Sequence, residues 1–554
     1  MNTTRRPRLN DDIMYLIFPY IDTSNMAMTS SHMYGFVFSH RFADEFIGAG
    51  RRGKARAEFL LQRDPLLDTV RASNIRRLIV MGPHNETIDF ATHILPVIQH
   101  SAVKLRSLSV GTSQKDAFNR DPRLLAAITT MPKLISLYLS LDPTLFSHLS
   151  NFPSDTAIEI LYLVFSGPAD DLHHVTFSAF VTTLARFPRL RDLVFGFLDL
   201  LLGPVNPIAP PGLAPLPSLV SLTLRDRSTV ALPLCPLCPR LSSLRCESGQ
   251  VESSAIASEL EPYTGPRWPS IRSLSLSVPH DAPLLVHWPV ANRVASGSAG
   301  VARVHIERWR ADARTLDAES DVVEAIGLPQ LLPAMKPVAL VLDILPSTAP
   351  APVSTTPEWF PEPTWLAIAS AQLRLRSLDL TIGGHAPRDD LVPIVPCVLC
   401  TALAGLPLVH LAIEECAHYT DAGFPVSYAA ELARVRRLLG APRALVDVLR
   451  SVCVVQVRGA CPAVLPRTAE EVGEQEEAEA AALAELRRIE KEGVQRRERW
   501  WWAEDVVGAA GSECELVELW REDGERAREI VEREDFDAKT SFDGFMLPKC
   551  IYRP

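Results

Sequence analysis

The chain has 554 residues, 47% of them hydrophobic and 22% charged, with 45 prolines and a formal net charge of −10. That composition fits a globular rather than a disordered chain, and the acidic balance argues against a general nucleic-acid binder. No apolar run reaches the eighteen or so residues a membrane span needs, and the opening MNTTRRPRLNDD lacks the apolar stretch of a secretory signal, so a cytoplasmic or nuclear setting is expected.

The first helical pattern lies within residues 9–47. Asp11 or Asp12 can cap a helix, and Ile13, Ile17 and Ile21 then recur every four residues with Leu16 and Tyr20 beside them. A polar break at 22–25 is followed by Met26, Met33, Phe36 and Val37, a second short helix. About forty residues bury little core of their own, so this bundle needs a partner or the following domain to cover its apolar face. The run Leu9-x-x-Asp12-Ile13-x-x-x-Ile17-Phe18-x-Tyr20-Ile21 resembles the start of an F-box. Asn10 stands where that family has proline, Asp12 where it has glutamate, and its later tryptophan is missing. The resemblance implies docking on a Skp-type adaptor and, through it, a cullin ubiquitin ligase, with Leu9, Ile13, Ile17, Phe18 and Ile21 as the adaptor-binding residues. An ordinary helical cap would bury the same side chains against the next domain.

Residues 48–55, GAGRRGKA, match both GxGxxG and GxxxxGK. A phosphate loop follows a buried strand and places Ser or Thr after the lysine to hold magnesium. Here that position is Ala55 and the preceding HRFADEFI reads as helix, so 48–69 is expected to be a basic linker followed by a helix. An NTPase built on Gly48–Lys54 is the least favoured of three functional readings.

From 70 to 420 a short signature recurs at intervals of about 30 residues: apolar at its first, fourth and sixth positions, with proline often two residues ahead. Clear copies are Leu134/Leu137/Leu139, Leu190/Leu193/Phe195, Leu219/Leu222/Leu224, Leu241/Leu244/Cys246, Ile271/Leu274/Leu276 and Leu375/Leu378/Leu380. Weaker ones start at Ile75, Leu105, Ile158, Val301, Ala339 and Leu408. The last two apolar positions alternate as in a strand with one buried face. Helical pieces such as 122–132 and 178–188 lie between them. The segments resemble the LxxLxL core of irregular leucine-rich repeats, which implies a solenoid whose face of parallel strands binds protein. The residues between the core positions, such as Arg106/Ser107 and Arg191/Asp192, differ from copy to copy. The proline-rich 346–363 reads as an insertion, and 421–466 as a terminal capping region. A compact α/β domain with repeated strands is the plainer alternative.

Two CxxC pairs, Cys235/Cys238 and Cys397/Cys400, sit in apolar, proline-flanked contexts, and no third pair completes a zinc site. Structural thiols are expected, with no metal and no cofactor. His173/His174 beside Asp170/Asp171 read as a solvated loop. Residues 467–537 carry 11 Lys/Arg against 23 Asp/Glu, so acidity is a property of the tail. Its Ala/Glu/Arg-rich start favours a helix over 467–500 with a narrow Leu483/Leu486/Ile489 stripe, and a second helix is expected near 513–535. Trp500–Trp502 are expected to fold this tail back on the repeats or to anchor a partner.

The expected fold class is therefore α/β: an F-box-like helical bundle (1–47), a leucine-rich-repeat solenoid (70–420) and an acidic helical tail (467–554). The expected function is non-enzymatic, recognition of a protein substrate for a Skp–cullin–F-box ligase, with no nucleic-acid or membrane partner. The alternative is a leucine-rich-repeat scaffold with no ubiquitin connection.

Overall fold

The computed structural model describes residues 31–48, 50–81, 89–111, 118, 121–165, 175–198, 201–202, 209–225, 230–247, 271–277, 302–310, 337–345, 374–382, 403–416, 425, 427–460, 465, 477–491, 498–505, 514–538 and 540–542. The chain divides into two compact units, one of residues 1–227 with 237–240, the other of 228–236 with 241–554. Both are mixed α/β, built on strands that pair in chain order.

The first unit opens with helix α1 (Ser31–Arg41), strand β1 (Asp44–Ile47) and helix α2 (Gly50–Leu61). The expectation for this stretch needs two corrections. DEFI is a strand rather than the end of a helix, and the segment after it is helical from Gly50 rather than a linker. Aromatic rings hold the corner together: Phe38 meets Phe42 edge-on at 4.8 Å, and Phe42 lies 6.0 Å from Phe59 of α2.

Strands β2 (Arg77–Val80), β3 (Ser107–Val110), β4 (Ser136–Leu141), β5 (Ile160–Phe165), β6 (Asp192–Gly196) and β7 (Ser221–Arg225) follow, all parallel. Each begins two residues into a copy of the apolar signature. The fourth and sixth positions pair directly across copies, Leu108 with Leu137 and Leu161 with Leu193. Their side chains are buried to 1% exposure or less from Leu78 to Leu224. Stacking like residues in register buries on each strand what no single copy could bury alone.

One backbone device repeats between copies. The carbonyl of the signature's second residue accepts two N–H groups from the next copy. Arg106 N and Ser107 N both donate to Arg76 O, Ile135 N and Ser136 N to Arg106 O, and Glu159 N and Ile160 N to Ile135 O. The main chain thus fixes the spacing between neighbouring copies.

Two of the short helices between strands satisfy first-turn N–H groups with side-chain caps. Asp121 accepts from Arg123 N at the start of α4 (Pro122–Thr129), and Thr176 from Ala179 N at the start of α5 (Phe177–Leu184); α3 is Leu95–Ser101. Pro122 at the first helical position needs no donor there.

In the second unit β8 (Ser243–Glu247), β9 (Ser273–Ser277), β10 (Arg303–Arg310), β11 (Ala339–Leu345), β12 (Ser377–Ile382), β13 (His410–Glu415) and β14 (Val454–Arg458) continue the parallel order. The copy expected to start at Ala339 is shifted by two: Leu340 and Leu342 pair with Leu378 and Leu380, so its first position is residue 337. Strand β14 is a further copy starting at Val452, which is 2% exposed.

Helix α6 (Tyr428–Val448) precedes β14, and α7 (Glu477–Lys491) follows it. Leu483, Leu486 and Ile489 of α7 pack on Tyr428, Leu432 and Val435 of α6. Glu479 of α7 accepts from Tyr428 N at 2.6 Å and from Ser427 Oγ at 2.7 Å, capping α6.

The tail keeps its first expected helix as α7, with the Leu483/Leu486/Ile489 stripe buried, but departs from expectation after it. Trp500–Trp502 lie in strand β15 (Glu498–Asp505), antiparallel to β14, and β16 (Cys514–Leu519) pairs antiparallel with β15. Helix α8 (Arg521–Glu532) follows, shorter than the helix expected near 513–535. Among the described residues no helix is long and apolar enough to cross a membrane.

Candidate functional site: the polar face of the strands

A parallel strand shows alternate residues on opposite faces. With the signature's fourth and sixth residues in the core, the third and fifth form two rows on the other face. In the first unit the fifth-position row runs Ser109, Tyr138, Tyr162, Val194 and Thr223. Tyr138 and Tyr162 stack with ring centroids 4.2 Å apart, and the Arg225 guanidinium sits 5.2 Å from the Tyr162 ring. Burial raises the Tyr138 phenol's pKa, with Arg225 opposing.

In the second unit the face formed by the signature's odd positions is charged. His305 Nε2 lies 3.0 Å from Asp343 Oδ2. Arg458 pairs with Asp379 and, at 2.9 Å, with Glu414, and Gln456 Nε2 donates to Glu498 Oε1 at 2.8 Å. Burial works against the Arg458 charge, but Asp379, Glu414 and Glu498 outweigh it and raise the pKa. His305, Asp343, Asp379, Glu414, Gln456 and Arg458 come from five strands and share one face because each occupies an odd position of its copy, and Glu498 joins them from β15.

Helix α8 lies on this face. Its Glu532 accepts from Arg303 at 3.2 Å and from Ser377 Oγ at 3.3 Å. Gly524 packs directly on the indole of Trp500, and Arg528 lies 5.8 Å from that ring. Beyond the helix, Arg376 donates to the carbonyls of Arg533 and Phe536, and Phe542 meets Trp502 edge-on at 4.8 Å. The tail thus folds back on the strands as expected, but it does so through β15 and α8.

At the centre of the contact His410 is fully buried, stacked on Trp500 at 5.7 Å and hydrogen-bonded through Nδ1 to Ser377 Oγ at 2.8 Å. Burial holds its pKa well below the ordinary value, and Arg528, Arg303 and Arg458 push the same way. Folding therefore favours neutral imidazole. As pH falls through about 6.5 the unfolded chain takes up a proton that the folded chain refuses, so this contribution is full above that value and lost below it. His410→Phe keeps the stack and removes the titration. Wild type should lose stability more steeply than the variant between pH 7 and pH 5, by up to about 1.4 kcal/mol per pH unit, in urea midpoints followed by ellipticity. Parallel curves for the two proteins would show that His410 is not the titrating group.

The residues singled out from sequence fall as follows. Leu9, Ile13, Ile17, Phe18 and Ile21 lie outside the described residues, as do Asp170, Asp171, His173, His174, Cys397 and Cys400. Gly48–Lys54 does follow a strand, contrary to expectation, but α2 starts at Gly50. Gly53 is then buried inside the helix, and Lys54 faces outward with Glu58 3.9 Å away. Cys235 and Cys238 are buried, and burial pushes the Cys238 thiol up to about 12. Among the described residues no three His, Cys, Asp or Glu side chains are placed to hold a metal ion. Arg303, His410, Asp379 and Arg458 were not singled out; their signal was their odd position in each copy. No family model matches the chain, and no curated protein matches it.

Proposed function

We propose that this chain is the substrate-recognition subunit of a Skp–cullin–F-box type ubiquitin ligase. The observation that carries this reading is the in-register parallel ladder, whose alternate residues form a polar, copy-variable face within each unit. Strands contributed one per repeat, each contacting only its neighbours, are what a leucine-rich-repeat solenoid is made of, and such a face is read by shape and charge rather than by a catalytic group. The N-terminal F-box-like helices would recruit the adaptor. The chain itself carries out no chemistry; it raises the effective concentration of a bound target near the ligase.

The test is capture of a Skp-type adaptor by the full chain and by Ile17→Asp. An aspartate facing the adaptor's apolar surface should weaken capture tenfold or more while the melting profile is unchanged. Undiminished capture by Ile17→Asp, or none by wild type, would leave a repeat scaffold without a ubiquitin role.

A further inference from the structure

We propose that the face beneath α8 is a docking site for an acidic amphipathic helix, and that α8 is its resident occupant, held in cis and exchangeable for a partner helix of the same pattern. This deepens the reading above by naming the chemistry of the partner that the polar face accepts.

The groove has three defining features. Trp500 presents its indole flat to the helix, and a Cβ at position 524 would come within 2.2 Å of it, so only glycine fits there. Two turns later Arg303 and Ser377 together receive a carboxylate, that of Glu532. Between them Ala527 is wholly buried, another small residue on the same helix face. The site therefore selects a helix with glycine, alanine three residues on, and glutamate eight residues after the glycine. Arg376 adds a second cation at the exit of the groove.

The resident is built to exchange. A 12-residue helix is marginal alone. Its ion pair with Arg303 is partly solvated, the two side chains being 32% and 20% exposed, and such pairs add little stability. What keeps α8 in place is the burial of Ala527, Ile530 and Val531 together with its tether, which supplies a high effective concentration that a free partner must overcome. Displacement would uncover Trp500, Arg303 and Arg376, the tryptophan and arginine anchors that dominate protein interfaces.

The experiment uses the full chain and a labelled peptide of residues 520–542. Gly524→Leu cannot seat α8 against Trp500, so the tethered helix should leave and the tryptophan emission shift to the red. The peptide, which keeps Gly524, should then bind the variant at least tenfold more tightly than it binds wild type. Adding Arg303→Glu, which sets like charges against each other, should weaken that binding severalfold, and a peptide carrying Glu532→Arg should restore it. Should Gly524→Leu fail to fold by circular dichroism, Ala527→Glu in the full chain, which sets a charge at a wholly buried position of the helix, vacates the site for the same comparison. A vacated site that does not take up the peptide, or takes it up no better than wild type does, would overturn the proposal. So would a Gly524→Leu chain whose helix stays docked. No adaptor enters the assay, so its outcome is independent of the ligase assignment.

Discussion

Phe180→Ala is expected to destabilise the first unit by about 3–5 kcal/mol, among the largest losses any single truncation in this chain should cause. Phe180 projects from α5 and is completely buried. Its ring lies 5.1 Å from Phe195 of β6 and is stacked 5.6 Å from Phe146. Phe165 of β5 completes the group, 6.0 Å from Phe146 and 6.5 Å from Phe195. Four rings from successive copies thus form one cluster, and removing the central one forfeits both apolar transfer and the ring contacts around the void. Val103→Ala is the control: Val103 is 67% exposed, and its truncation should stay within about 0.5 kcal/mol. Urea titrations followed by circular dichroism would compare the two. A Phe180→Ala midpoint close to that of Val103→Ala would mean the rings do not pack as described.

Strands were legible in the sequence wherever the core residues alternated cleanly, because a strand's period of two sets which residues are buried. Leu134/Leu137/Leu139 and Leu190/Leu193/Phe195 are in the rows expected of them. The phase was lost in β11, where Ala339, Leu340, Val341 and Leu342 are all buried and apolar residues occupy both faces. Alternation carries no register in such a run. Strand β1 was hidden by Glu45, a carboxylate at a core position opposite Leu78. It is 4% exposed and gripped by Arg56 at 2.7 and 2.9 Å, while burial raises its pKa in spite of that partner. Tertiary pairing supplied what local pattern could not.

The tail illustrates the same competition. Glu and Arg around Trp500–Trp502 and in 514–519 favour helix by propensity, yet both segments are strands. Tryptophan suits a pleated, half-buried surface, and β14 offered an unpaired edge on which β15 could form. The polar face was partly legible. Reading each copy's odd positions as a surface finds Arg303, Asp379 and His410, but nothing local indicates that α8 would lie across them, since that contact joins residues 303 and 532.

The other large expected effect concerns the clamp on α6. Arg434 and Glu431 are 6% and 2% exposed and joined by two hydrogen bonds of 2.7 and 2.8 Å. The same guanidinium donates through Nη1 to Glu415 O at 2.8 Å and to Gly459 O at 2.7 Å, tying the helix to the ends of β13 and β14. Glycine is required at 459, where φ is +72° and a Cβ would lie 3.3 Å from Arg434 Nη1. Arg434→Met should cost about 3–5 kcal/mol, because it leaves the Glu431 carboxylate buried without a countercharge and two carbonyls without their donor. Glu431→Leu strands the guanidinium in the same way and should cost a similar amount. The double variant Arg434→Met/Glu431→Leu removes both charges together and should be less destabilised than the sum of the singles by about 2 kcal/mol or more. Arg434→Lys should not rescue, since an ammonium cannot make the forked contact with Glu431 while reaching both carbonyls. Urea midpoints for the four variants close the cycle. Additive costs, or an Arg434→Met loss below about 1 kcal/mol, would mean that the pair is solvated and that α6 is held to the sheet by its apolar face alone.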